Sequence, residues 1–138
     1  MKKNTIIFIL VVIAALIYIL KDNFSINIGP IQNKDSSLET KESNDGPVSV
    51  TVTPKGWDFD ITLNTHSEEL SEDLVAVSEL VDDQGKSYKP VSWEGSPPGG
   101  HHRNGVLKFN PISPKPKSLE LKIKNVAGVV ERSFKWDL

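Results

Sequence analysis

Three histidines carry most of the chemistry this chain offers: His66 in Asn64-Thr65-His66-Ser67, and the adjacent His101 and His102 behind Pro97-Pro98-Gly99-Gly100. A neutral imidazole is a good ligand for borderline transition metals. Three of them with no thiolate in the sequence suit Zn(II) or Cu(II), so His66, His101 and His102 are the candidate metal ligands, with copper or zinc as the ion. The idea carries a geometric condition. Neighbours on an extended chain point to opposite faces, so His101 and His102 reach one ion only if the Gly99-Gly100 turn leaves the extended conformation. The plainer alternative is that one imidazole packs against Trp93 and donates to a backbone carbonyl, holding the loop in place.

Other site chemistries have less support. With no cysteine, disulfides, thiolate metal sites and a cysteine nucleophile are all excluded. There is no Gly-x-Ser-x-Gly elbow, no His-Glu-x-x-His pair and no phosphate-cradling glycine loop. A metal-dependent hydrolase would need a carboxylate base beside the ion, and Glu94 is the strongest candidate. Glu68, Glu69, Glu72 and Asp73 lack the alternating oxygen ligands and glycine of a calcium loop, and belong on a solvated face. Asp58 and Asp60 alternate with Trp57 and Phe59, as any half-exposed strand requires. The expectation is therefore a protein that is not an enzyme. A formal charge of -2, from 16 basic and 18 acidic residues, gives no cationic excess for a phosphate backbone, so nucleic acid is not expected as a partner.

The stretch from Trp93 to Phe109 contains four glycines and two prolines around the histidine pair. Glycine opens backbone angles closed to other residues while Pro97 and Pro98 stiffen the approach, so an ordered, shaped loop is expected. Trp93, Glu94, Gly99, Gly100 and Arg103 are its candidate binding residues, because ordered loops at the end of a sandwich commonly bind. The competing reading is a structural connection pinned by Arg103 and the histidines.

That stretch resembles a motif, Trp-x-Gly-x-Pro-Pro-Gly-Gly-His-His-Arg-x-Gly-x-Leu-x-Phe, of secreted or membrane-anchored prokaryotic β-domain proteins without an assigned activity. Thr65-His66-Ser67, Leu70 and Asp73-Leu74 are similar to an upstream part of the same pattern. The resemblance covers about residues 57–109, and implies a shared fold and a structured loop but no reaction or ligand.

The elements that must position this loop follow from periodicity. Val48, Val50 and Val52 alternate with Ser and Thr, and Pro54-Lys55-Gly56 turns the chain into a second strand bearing Trp57, Phe59, Ile61 and Leu63. A less regular strand is expected over 74–81, then an Asp-Asp-Gln-Gly hairpin and a return strand over 88–93. Short strands follow at 106–109, at 119–123 and at 130–136, where Arg132 is the exception among inward Val130, Phe134 and Trp136. A helical turn fits only the acidic run 67–73, capped by Ser67 or Ser71. About seven short strands without a helical period predict an all-β, immunoglobulin-like antiparallel β-sandwich, with a small barrel as the alternative.

Residues 6–20 form an unbroken apolar run behind Lys2 and Lys3. With Asn4 and Thr5 it would rise roughly 25 Å as a helix, enough to span a bilayer with little tilt. Ala14 and Ala15 lie inside the run, not after it, which favours an uncleaved signal anchor over a cleaved signal peptide. The expected organisation is a transmembrane helix and signal anchor at 1–23, a flexible polar linker at 24–46 and an extracytoplasmic sandwich at 47–138. On this reading the protein is single-pass in the cell membrane through residues 4–20, with a cytoplasmic N-terminus. Its domain would meet an extracytoplasmic protein partner.

Overall fold

The structure, a computed structural model, describes residues 38–138. The expected span at residues 4–20 and most of the expected linker lie outside the described residues. No helix among the described residues is long and apolar enough to cross a membrane.

The pattern of alternating valines produces β2 (Val48–Lys55), whose Val48, Val50 and Val52 are fully buried. It pairs antiparallel with β3 (Asp58–Thr65), setting Val50 opposite Leu63 and Val52 opposite Ile61. Gly56, at φ 65°, takes the left-handed turn between them. β7 (His102–Lys108) lies on the other side of β3, and β6 (Ser92–Gly95) pairs with β7. With β1 (Lys41–Ser43) outside β2, the first sheet runs β1-β2-β3-β7-β6.

The second sheet runs β5-β4-β8-β9, from β4 (Ser78–Asp82), β5 (Ser87–Tyr88), β8 (Ser118–Val126) and β9 (Val129–Asp137). Every pairing is antiparallel. The inward rows of the two sheets close on one core, in which the Phe59 ring meets Phe109 edge-on at 5.6 Å and Trp136 at 5.7 Å. The all-β sandwich expected from periodicity is therefore present.

Three boundaries differ from expectation, each for a tertiary reason. The strand expected over 74–81 opens as a helical turn, α1 (Leu74–Val77), because the Asp73 carboxylate accepts the Val75 N–H at 3.0 Å and caps it. The cap is Asp73, and the turn follows the acidic run instead of occupying it. The return strand expected over 88–93 divides between the sheets: β5 pairs with β4, β6 pairs with β7, and buried Pro90 sits at the crossing, where it can donate to neither ladder.

The third difference concerns the linker. β1 falls inside the expected spacer 24–46, yet Lys41 stands opposite Val52 and Ser43 opposite Val50 in the sheet. Leu38 packs against the core and the Trp136 Nε1–H donates to the Glu39 carbonyl at 2.7 Å. Polar composition alone gives this stretch no reason to order; the open edge of β2 and the buried indole supply one. The ordered sheet thus begins before residue 47.

Candidate functional site

The connection from β6 to β7 does not stand free. It lies against the segment that follows β3, and the two are laced by main-chain bonds: Gly99 N–H to Leu70 O at 2.8 Å, Leu70 N–H to Gly100 O at 2.9 Å, and Thr65 N–H to His101 O at 2.9 Å. Gly99 at φ 113° and Gly100 at φ 76° make that course available to the backbone. Thr65 works on the opposite flank. Its hydroxyl donates to Pro47 O at 2.9 Å and accepts from the Ser67 and Glu68 amides.

Beneath the loop lies Arg103, 2% exposed. Nη1 donates to Leu70 O at 3.1 Å and to Glu72 O at 2.7 Å, and Nη2 reaches Ser96 O at 3.5 Å. The guanidinium also lies over the Trp93 ring, 5.7 Å from its centroid. Burial pulls the Arg103 pKa below its ordinary value, while Glu72 and Asp73 act in the other direction. Arg103 was expected among the binding residues; its donors are instead directed at main-chain carbonyls inside the protein. Trp93 is half-buried, and its Nε1–H is likewise taken by Ser96 O at 2.8 Å. Both side chains hold the loop instead of presenting themselves to a ligand.

The close pairing of β6 with β7 depends on two glycines. A Cβ on Gly105 would come within 2.6 Å of Glu94 O and 2.7 Å of the Trp93 ring, and one on Gly95 within 2.4 Å of Asn104 O. Glu94, the candidate base, is exposed and forms an ion pair with Lys108 at 2.8 Å.

Of the three histidines, the structure brings two together. The His66 and His102 rings meet edge to face with centroids 6.3 Å apart. His102 Nδ1 lies 2.9 Å from Asn64 Oδ1, across the β3–β7 register, and because an amide oxygen can only accept, Nδ1 carries the proton. The second nitrogen of that ring, Nε2, therefore keeps its lone pair in the neutral form. Among the described residues no three His, Cys, Asp or Glu side chains converge as a metal-holding group, so the expected trio of His66, His101 and His102 is not assembled. His102 opens β7, while His101 stands before the strand with its carbonyl accepting the Thr65 amide. His66 also lines a shallow groove of about 260 Å³ with Asn44, Pro47, Ser49 and Asn64.

A larger cleft of about 370 Å³ lies between the β4–β5 turn and the proline-rich segment before β8. Its carboxylates are already engaged. Asp82 accepts the Gln84 and Lys86 amides and the Tyr88 hydroxyl, and these bonds outweigh burial to hold its pKa below the ordinary value. Asp83 accepts from Gln84 Nε2 and the Lys117 amide. The pair builds a turn.

Asn64, Glu72 and Ser96 are the site residues that sequence reasoning missed. Their polarity was visible, but the contacts that give them a role join positions far apart in the chain. Glu72 is the clearest case: Oε1 accepts the Ala127 amide at 3.1 Å from the opposite sheet's hairpin, and Oε2 is buried without a partner among the described residues.

The chain matches no protein-family model, no curated protein and no solved structure.

Proposed function

We propose that this chain is a membrane-tethered binding or assembly module. Residues 4–20 hold it in the cell membrane as an uncleaved anchor, and a sandwich of immunoglobulin-like type lies outside the cell. There the Gly/Pro/His loop meets an extracytoplasmic protein partner. The observation that carries the reading is the contrast within the loop. Its main chain is bonded on one flank to the segment after β3 and underpinned by Arg103, while Pro97, Pro98, His101 and His102 are exposed. A surface fixed before binding loses little conformational entropy when a partner docks. The apolar run behind Lys2 and Lys3 supports the tether, and two antiparallel sheets joined by a crossing at Pro90 support the immunoglobulin-like assignment.

The test uses the full chain in intact cells. Protease added outside should remove the sandwich, and a photo-cross-linking residue at position 101 should yield a discrete adduct that the same residue at Gln84 does not. A sandwich protected from external protease, or equal adducts at both positions, would overturn the reading.

A second reading is favoured by the His66–His102 approach. With Nδ1 of His102 held by Asn64, the free Nε2 and the neighbouring His66 ring offer two imidazoles to a copper or zinc ion, water or a partner completing the shell. Titration of the detergent-solubilised full chain with Cu(II) and Zn(II) checks it. Binding should vanish in His66→Ala and in His102→Ala and persist in His101→Ala; equal loss from all three, or no binding, counts against it.

A further inference from the structure

A sheet edge presents a row of unsatisfied main-chain donors and acceptors, and proteins usually keep such edges short or interrupt them. Three of the four edges here follow that rule: β1 has three residues, β6 four and β5 two. The fourth does not. β9 runs nine residues, Val-Val-Glu-Arg-Ser-Phe-Lys-Trp-Asp, with neither proline nor glycine.

Its hydrogen-bonding row can be assigned. Leu138 N–H donates to Lys117 O at 2.9 Å, continuing the β8–β9 register in which Asp137 stands opposite Ser118. Antiparallel bonding alternates, so Trp136, Phe134 and Arg132 bond to β8, and the amides and carbonyls of Glu131, Ser133, Lys135 and Asp137 point away from it. Among the described residues these outward groups have no main-chain partner. The side chains of the same four residues are exposed, as is Val130 at 77%.

We infer that β9 pairs antiparallel with β9 of a second copy of this chain, about a two-fold axis at Ser133, joining the two second sheets into one. The charge pattern selects that register. Centred on Ser133, Glu131 stands opposite Lys135 of the second copy, twice by symmetry, and Val130 falls opposite Trp136. Centred on Arg132, Glu131 meets Ser133 and Lys135 meets Val129, with no ion pair. Centred on Phe134, Glu131 meets Asp137, two like charges. Glu131 is already held on that face by Lys122 at 3.1 Å, and Lys135 has no carboxylate within 4 Å among the described residues. The inference stands apart from the loop and from the tether.

The sequence contains no cysteine, so single substitutions report position cleanly. In a hydrogen-bonded antiparallel pair the facing Cα atoms lie about 5.5 Å apart, within disulfide reach. The full chain carrying Ser133→Cys should form a covalent dimer under mild oxidation, whereas Glu131→Cys alone should not, and a mixture of Glu131→Cys and Lys135→Cys chains should. Ser133→Pro removes the outward N–H and the exposed hydroxyl bond to Glu120 but no main-chain bond to β8. Light scattering of the detergent-solubilised chain should therefore show the dimer weakened at least tenfold, with the sandwich's circular dichroism unchanged, while Ser133→Ala, which loses the hydroxyl alone, should leave the dimer intact. Lys135→Glu should weaken the dimer as well, and the double exchange Glu131→Lys with Lys135→Glu should restore it. A chain that stays monomeric, a dimer indifferent to Ser133→Pro, or cross-linking as efficient at 131 as at 133 would overturn the proposal.

Discussion

Glu72 and Arg103 touch through the main chain and not as an ion pair. Arg103 Nη1 donates to the Glu72 carbonyl at 2.7 Å, while the Glu72 carboxylate turns to the Ala127 amide at 3.1 Å. Arg132, the other buried arginine, repeats the device with Val126 O at 3.0 Å, Asp45 O at 2.6 Å and Val48 O at 3.3 Å. Neither guanidinium has a carboxylate partner among the described residues, and burial lowers the pKa of both. Each cation is instead surrounded by carbonyl dipoles, those on Arg103 from loop segments and those on Arg132 from Asp45 and the ends of β2 and β8.

Removing Arg103 should therefore loosen the loop before it unfolds the sandwich. Arg103→Ala orphans the Glu72 carbonyl and leaves Leu70 O with the Gly99 amide alone, and a loss of about 2 kcal/mol in denaturant stability is expected. Amide exchange should accelerate first at Leu70 and Gly99, whose N–H groups lace the loop. Arg103→Lys keeps the charge but not the fork, and should recover less than half of the loss.

Gly105→Ala tests the close approach of β6 and β7. The new Cβ meets backbone and the Trp93 ring at contacts no closer than 2.6 Å but shorter than any ordinary packing distance. Destabilisation of roughly 1–3 kcal/mol is expected, with a change in Trp93 fluorescence as the ring is displaced. Gly128→Ala serves as the control. At φ 78° it strains the turn, but nothing stands within 4 Å of its Cβ, so Trp93 emission should not change.

Trp136→Phe retains an aromatic ring in the core but deletes the donor to Glu39. Stability should fall by about 1 kcal/mol. The amides of β1 should exchange faster while those of β2 and β3 keep their protection, a separation that hydrogen exchange resolves residue by residue.

Glu79 supplies the pH dependence. A 2.5 Å hydrogen bond from Lys124 is the main cause of its lowered pKa, opposed by burial and aided by the charges of Lys124, Lys89 and Lys122. A carboxyl whose folded pKa lies below its unfolded value stabilises the fold above the unfolded value, and that contribution disappears as pH falls through the folded pKa. Glu79→Gln should therefore cost up to about 1 kcal/mol at pH 7, as the pair is partly exposed. Below the carboxyl's ordinary value of 4.5 the difference from wild type should close. Paired urea titrations at pH 7 and pH 3 measure it.

The alternating rows of β2, β3 and β8 were legible because a strand with one buried face writes its own period, and Val48-Ser49-Val50 or Leu119-Glu120-Leu121 needs no partner to be read. The arginines were not. Arg132 looked like an exception in an apolar strand, and Arg103 stood open between a binding residue and a pin of the loop, because their acceptors are carbonyls, which every residue possesses and no sequence advertises. Asp45 lies 87 positions before Arg132. β1 was hidden for a related reason: Lys41, Glu42 and Ser43 have no strand preference of their own, and only the neighbouring β2 and Trp136 order them. The candidate site was half-visible. The sequence placed His66 and His102 in loops that could meet, while Asn64, the residue that fixes the His102 ring, read as an ordinary strand end.

The way residues 38–45 are fastened sets how the domain responds to force. Tension applied from the N-terminal side first meets the Trp136–Glu39 bond, then the three residues of β1, and last the grip of Arg132 on Asp45. These fastenings lie in series along the chain, so a pull from that side reaches them in succession instead of together, and it reaches them before it reaches β2 and the core between the sheets.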